Sequence, residues 1–314
     1  MIELSTVFNT AFQGGLTFPA TPLQTQYYAT QLFNGLMLGM TLVLVSLGLT
    51  IIFGLLGVIN FAHGDILLVG TYIAWTVQSA TGSFVFAIVA AVVGTFLTGI
   101  VIERTLLRYT YGRYDALLQL LLTFGIAEFL RGGVMLVWGQ SGKNFPNPAW
   151  AQGAVDLVLF SYPLYRVFVI VVAGLLIVAL YLFLNWTDLG LLIRAGTQDR
   201  DMVDALGIDV SRIYLLVFGI GAALAGIAGV LIGPIRAAHP TLGIELLIPA
   251  FVVVVVGGLG SFRGTIIAGI LIGELQVLTG MFYSQAAEVV VFLFMAIVLL
   301  VRPRGLFGKE GVIE

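Results

Sequence analysis

The chain has 314 residues, 60% of them hydrophobic and only 10% charged, with a formal net charge of −2 and no cysteine. A soluble globular chain carries about 25% charged residues, so this composition describes a protein whose main solvent is lipid. The near-neutral balance argues against nucleic acid as a partner. The missing thiols exclude disulfides, thiolate metal sites and cysteine nucleophiles.

Residues 1–27 carry no Lys or Arg and no apolar core ending in a small-residue cleavage site, so they read as an external N-terminal tail and not as a signal peptide. Nine apolar segments follow, at about 29–53, 60–78, 84–107, 116–138, 164–186, 213–232, 246–259, 265–280 and 285–301. They are continuous rather than alternating, which is the pattern of spanning helices and not of a β-barrel. The expected fold is all-α: a polytopic membrane bundle of eight or nine transmembrane segments over residues 28–308, followed by a short tail, 309–314. The count is eight or nine because the seventh segment is short and ends in Gly257-Gly258-Leu259-Gly260, which suits a half-helix or re-entrant stretch.

Small residues recur four apart at Gly35/Gly39, Ala222/Gly226, Ala225/Gly229 and Gly269/Gly273, a spacing that lets helix backbones approach closely. Asn34 and Gln119 suit hydrogen bonds between helices. Asn60, His63 and Asp65 gather at the start of the second segment. They suit either a gate at the mouth of the bundle or plain helix capping, with Asp65 in the first turn; capping is the favoured reading for Asn60 and Asp65. Glu128 and Arg131 lie three apart in the fourth segment, share a face and are expected to pair, as a structural lock more than a substrate contact. Glu274 sits within the eighth segment with no cation nearby in sequence; it is protonated, paired with another chain, or lines a pathway. A metal site is not expected, because the two histidines, His63 and His239, fall on opposite sides. The glycine-punctuated stretches 57–64 and 257–264 resemble each other with one gap, by internal duplication of the kind found in transporters or by coincidence.

The basic residues orient the chain. If all nine segments cross, Arg104, Arg108, Arg113, Arg194, Arg200, Arg212, Arg263, Arg302, Arg304 and Lys309 lie on one side, and only Lys143, Arg166 and Arg236 on the other. The first side is then cytoplasmic, the N-terminus is outside, and 139–163, with three prolines and Trp150, is the largest external loop.

That orientation makes 187–212, a polar stretch between two long apolar segments, a cytoplasmic loop. Within it Thr197 suits a helix N-cap, Asp199 and Asp201 put negative charge in the first turns, and Gly207 suits the stop. Met202, Val203 and Leu206 fall on one face, with Asp199, Arg200 and Asp204 on the others. A helix of two to three turns is marginal alone and gains order by laying its apolar face on a partner. The alternatives are a solvated connector or a helix on the lipid surface.

Four stretches, Arg194–Asp209, Gly54-Leu-Leu-Gly-Val-Ile-Asn-Phe-Ala-His-Gly-Asp65, Phe251-Val-Val-Val-Val-Val-Gly-Gly-Leu-Gly-Ser-Phe-Arg-Gly264 and Arg302-Pro-Arg-Gly-Leu-Phe-Gly308, resemble in order the permeases of branched-chain amino acid ABC importers. The resemblance covers about residues 28–308 and is to the first of the two permease types these importers pair. It implies a second homologous permease subunit, two cytoplasmic ATP-binding cassette subunits and an extracytoplasmic substrate-binding protein, all at a prokaryotic inner membrane. It also implies that residues 196–207, including Gly196, Thr197, Arg200 and Gly207, seat on an ATPase subunit. The implied substrates are leucine, isoleucine and valine, although relatives carry urea, short amides or aromatic acids.

No cofactor of the chain's own is expected. The sequence has no G-x-x-x-x-G-K-[ST] loop, so ATP would be bound by partner subunits. Neither G-x-S-x-G nor a Ser/His/Asp set on one side supports an enzyme. A stand-alone secondary transporter or channel is the alternative of a different class, with Glu128 and Glu274 its only deep carboxylates.

Overall fold

A computed structural model describes residues 22–157 and 160–308. Nine helices match the nine apolar segments one for one: α1 (Pro22–Leu56), α2 (Ala62–Thr81), α3 (Phe84–Thr105), α4 (Ala116–Trp138), α5 (Leu164–Trp186), α8 (Val210–Arg236), α9 (Leu242–Gly257), α10 (Phe262–Phe282) and α11 (Ala286–Val301). Two short helices, α6 (Asp188–Gln198) and α7 (Arg200–Ala205), fill the polar loop between α5 and α8. Six helical spans, at α1, α3, α4, α5, α8 and α10, are long and apolar enough to cross a membrane, while α9 and α11 are shorter apolar helices. The chain is a multi-pass helical membrane protein.

One expected boundary moves. Helix α1 begins at Pro22, where proline's fixed φ and missing N–H suit a first turn, so residues 22–27 belong to the helix and not to the tail. Residues 1–21 and the 309–314 tail lie outside the described residues. Among the described residues the helices are interrupted by a hairpin in the 139–163 loop, β1 (Ala154–Leu157) antiparallel to β2 (Phe160–Pro163), with Val155 opposite Tyr162. Along β2 burial alternates and Tyr162 points fully inward, the period-2 signature of a strand laid on a surface. The four residues of each strand are too few to show as an apolar segment in sequence.

The bundle centres on α1 and α8. Their most apolar stretches are 78% and 72% buried, against 22% to 28% for α3, α4, α5 and α10, whose outer faces are exposed. The small-residue spacings mark the closest crossings. A Cβ on Gly273 would strike the backbone of Gly39, and one on Gly39 would lie 2.9 Å from the Ile270 Cα, so α1 and α10 touch backbone to backbone. On α8, Gly226 meets Thr95 of α3 and Gly70 of α2, while Gly229 meets Leu67 and Thr71 of α2.

Helix α2 does not start at the end of the bundle. The Phe61 N–H donates to Thr123, seven residues into α4, at 3.2 Å. His63 Nε2 lies 3.0 Å from the Val45 carbonyl, eleven residues before the end of α1, and Gly64 packs on Gly243 at the start of α9. At 1.5 Å per residue Thr123 and Val45 lie about 10–16 Å in from the ends of their helices. Residues 57–61 therefore fold back into the bundle before α2 begins, starting from Gly57 at φ +66°. The similar stretch at 257–264 behaves differently. It turns at the end of the bundle, with the Ser261 hydroxyl accepting from the Gly264 N–H at 3.2 Å. The expected short seventh segment is the 16-residue α9, about 24 Å long, less than the ~30 Å hydrocarbon core.

Candidate functional site

The four sequence stretches that carry the family resemblance meet at one end of the bundle, the end where the arginine-rich connections lie. The last turn of α1 brings Gly54 against Gly260 and, at 3.9 Å from its notional Cβ, the Thr197 methyl of α6; Gly196 packs on Leu55. The C-terminal segment is stitched to the end of α9 by two backbone bonds, Leu306 N–H to Val256 O at 2.8 Å and Phe307 N–H to Gly257 O at 3.1 Å. The platform that holds α6 and α7 is thus made from residues far apart in sequence.

Within α6 and α7 the details differ from expectation. The polar loop holds two helices and not one, because Asp199, at φ −153° and ψ 96°, is extended and divides them. Asp199 is the N-cap of α7, its carboxylate accepting from the Met202 N–H at 2.9 Å. Thr197 caps nothing: it lies in the last turn of α6 and its hydroxyl donates to the Arg194 carbonyl at 2.7 Å. Asp201 does fall in the first turn of α7. Gly207, at φ +79°, ends the turn after α7, a backbone state that favours glycine. The expected common apolar face is split. Val203 is buried on the bundle, while Met202 and Leu206 stand 58% and 70% exposed. Arg200 folds back over the Tyr214 ring at 5.9 Å, and Asp209 caps α8 through the Arg212 N–H and pairs with the Arg212 side chain at 2.9 Å.

Behind α7 lies a cavity of about 310 Å³ lined by Arg200, Asp201, Asp204, Tyr111 and Glu103. Glu103 is buried with both carboxylate oxygens unpartnered among the described residues, as is the Tyr111 hydroxyl. Burial and the nearby Glu103 push the Tyr111 hydroxyl well above its ordinary range. This group was not foreseen. Its signal was a carboxylate in the last turn of an apolar segment, masked by the neighbouring Arg104 and Arg108.

The intramembrane polar residues form a second cluster. Arg131 is a fork: Nε and Nη2 grip the Asp65 carboxylate at 3.1 and 3.0 Å, while Nη1 reaches Glu128 at 2.9 Å. The expected Glu128–Arg131 pair is present, but Glu128 is half exposed and Asp65 only 1% exposed, so Asp65 is the partner that matters. Asp65 is in the first turn of α2, as capping requires, but its carboxylate crosses to α4. Asn60 Oδ1 accepts from the Ala62 N–H at 3.0 Å, a short local turn. Asn60 and His63 sit within the bundle and not at its mouth, because α2 begins inside; Asn60 Nδ2 and His63 Nδ1 are buried without partners among the described residues. Glu274 is apart from all of these, pressed against Gly35 of α1 with its Oε2 buried and unpartnered among the described residues. Asn34 bonds the Tyr162 hydroxyl at 3.0 Å and Arg166, tying α1 to the hairpin and α5. Gln119 donates to the Thr110 carbonyl at 3.2 Å, within the α3–α4 connection and not between helices. No group of three or more metal-ligating side chains is found among the described residues.

A family model described as branched-chain amino acid transport system / permease component matches residues 31–301, the stretch that contains all of these features except the C-terminal segment at 302–308. The chain belongs to this permease family. It is 34% identical over 302 residues to the high-affinity branched-chain amino acid transport system permease protein BraD of Pseudomonas aeruginosa, covering 91% of this chain and 97% of that protein. It is 33% identical over 303 residues to the permease protein LivH of the corresponding system in Escherichia coli, covering 92% and 98%. To LivM, a second permease protein of that name in the same organism, it is 28% identical over 305 residues, covering 86% of this chain and 68% of LivM. No solved structure matches.

Proposed function

We propose that this permease imports branched-chain amino acids at a prokaryotic inner membrane as one of two homologous membrane subunits, driven by two ATP-binding cassette subunits and fed by an extracytoplasmic binding protein. The names of its relatives BraD and LivH support the substrate and the permease role of the chain. The likeness to both LivH and LivM of one organism supports a paired, non-identical second permease. The N-terminus is outside and the α6–α7 end is cytoplasmic, since ten of the fourteen basic residues lie on that side. ATP-driven movement of the cassettes pushes α7 and rocks the bundle, giving alternating access.

The observation that carries this reading is the exposed Met202–Leu206 tip of α7, held by a polar cap on a platform built from four distant segments. An apolar tip on a rigid base is a surface for a groove on a partner. The test is co-purification and uptake with co-expressed subunits. Gly196→Pro, which breaks α6, and Arg200→Glu are expected to abolish leucine uptake while the chain still inserts, and Arg200→Glu to release the cassette subunit. Wild-type uptake by either variant sinks the coupling role.

A further inference from the structure

A cavity of about 350 Å³ opens between α1, α9, α10, α11 and the last residue of α8, near the end of the bundle opposite α7. Its walls are of two kinds. Leu38, Leu42, Val291 and Phe292 form an apolar side, and Arg236, Gln276 and Glu288 bring polar heads to the same space. The Arg236 and Glu288 side chains are exposed at the cavity and Gln276 is half-buried, and among the described residues none of the three side chains has a hydrogen bond or ion pair, so a cation and a carboxylate line one cavity without pairing with each other. Glu245, also at the rim, is engaged by the Thr241 hydroxyl at 2.7 Å.

The backbone beside Arg236 is strained. Ala237, at φ 61° and ψ 161°, is the one non-glycine residue with positive φ among the described residues, in a region that belongs essentially to glycine. The strain is held by its neighbour: Ala238 exchanges backbone bonds with Lys143 at 2.7 and 3.0 Å, and its carbonyl accepts from the Tyr72 hydroxyl at 3.3 Å. This held backbone fixes where the end of α8, and with it the Arg236 Cα, sits at the cavity rim.

We propose that this cavity is the permease's own docking site for a zwitterionic α-amino acid with a branched aliphatic side chain. The Arg236 fork takes the carboxylate, Glu288 takes the ammonium group, and the wall of Leu38, Leu42 and Phe292 takes the side chain. The proposal rests on the import reading above and adds selectivity to the membrane subunit. A zwitterion satisfies both charges at once, whereas a neutral amide leaves them unmet. The apolar wall sets the tolerated side-chain size.

The test uses the full complex in proteoliposomes, with leucine, valine and acetamide as probes and basal ATP hydrolysis as the assembly check. Arg236→Gln and Glu288→Gln are each expected to lower leucine uptake at least tenfold with basal hydrolysis unchanged. Arg236→Lys, which keeps the charge without the fork, should retain intermediate uptake. Phe292→Trp, which narrows the wall, should move the leucine-to-valine uptake ratio toward valine by several-fold, a change that mere destabilisation does not produce. A wild type that moves leucine together with charge variants that match it overturns the site alone. So does a Phe292→Trp variant that leaves the ratio unmoved. A wild type that moves acetamide and no amino acid overturns the site and the import reading together.

Discussion

Arg131 is the residue on which the membrane-embedded charge balance turns. Removing it leaves the Asp65 carboxylate buried without a cation, and breaking a buried pair by deleting one partner costs about 3–5 kcal/mol. Arg131→Leu should therefore lower stability by about that amount in denaturant unfolding in detergent, and the double variant Asp65→Asn/Arg131→Leu should recover most of the loss. Glu128→Gln should change stability by about 1 kcal/mol or less, because Glu128 is half exposed. Equal losses for Glu128→Gln and Arg131→Leu would contradict this ranking. The i, i+3 spacing made Glu128–Arg131 readable in the sequence. Asp65 was readable only as a first-turn acid, since its partner lies 66 positions away on another helix.

Helix α7 has six residues and no stability of its own at that length. Its order depends on the Asp199 cap and the buried Val203. Asp199→Ala should loosen α7 by about 1 kcal/mol, which hydrogen exchange would read as roughly fivefold faster exchange at residues 202–205. Thr197→Ala should leave those amides unchanged, because the Thr197 hydroxyl is spent on the Arg194 carbonyl. Protection lost in Thr197→Ala and kept in Asp199→Ala would reverse the assignment. The polar composition of 187–212 announced a helical element between membrane segments. Capping chemistry could not choose between Thr197 and Asp199, since both residue types cap well and only the chain path through Asp199 separates α6 from α7.

Across the whole bundle, helix spacing is set where backbones touch. Gly273→Val would drive a side chain into the Gly39 backbone and part α1 from α10. Overpacking of this kind costs about 1–3 kcal/mol where neighbours can yield, and here the neighbour is backbone. The expected outcome is a drop in melting temperature with poor recovery of folded protein. Gly280→Ala on the same helix, whose Cβ would meet only the Ala287 methyl at 3.6 Å, should be neutral or slightly stabilising. A melting temperature lowered equally by both substitutions would show that glycine flexibility, and not the close crossing, is what matters.

By itself the sequence determined the membrane class, the nine apolar helices, the polar loop that carries α6 and α7, and the small-residue crossings. Each of these is written in local composition and short-range periodicity, and lipid leaves a chain few other ways to satisfy its backbone. Tertiary structure decided the rest. The return of residues 57–61 into the bundle placed His63 and Asn60 inside and not at a mouth. The crossing of α2 and α4 gave Arg131 its true partner. The convergence of residues 54–55, 196–197, 256–260 and 306–308 made the platform. These depend on contacts between residues tens to hundreds of positions apart, and no local pattern records which distant side chain or backbone a residue will meet.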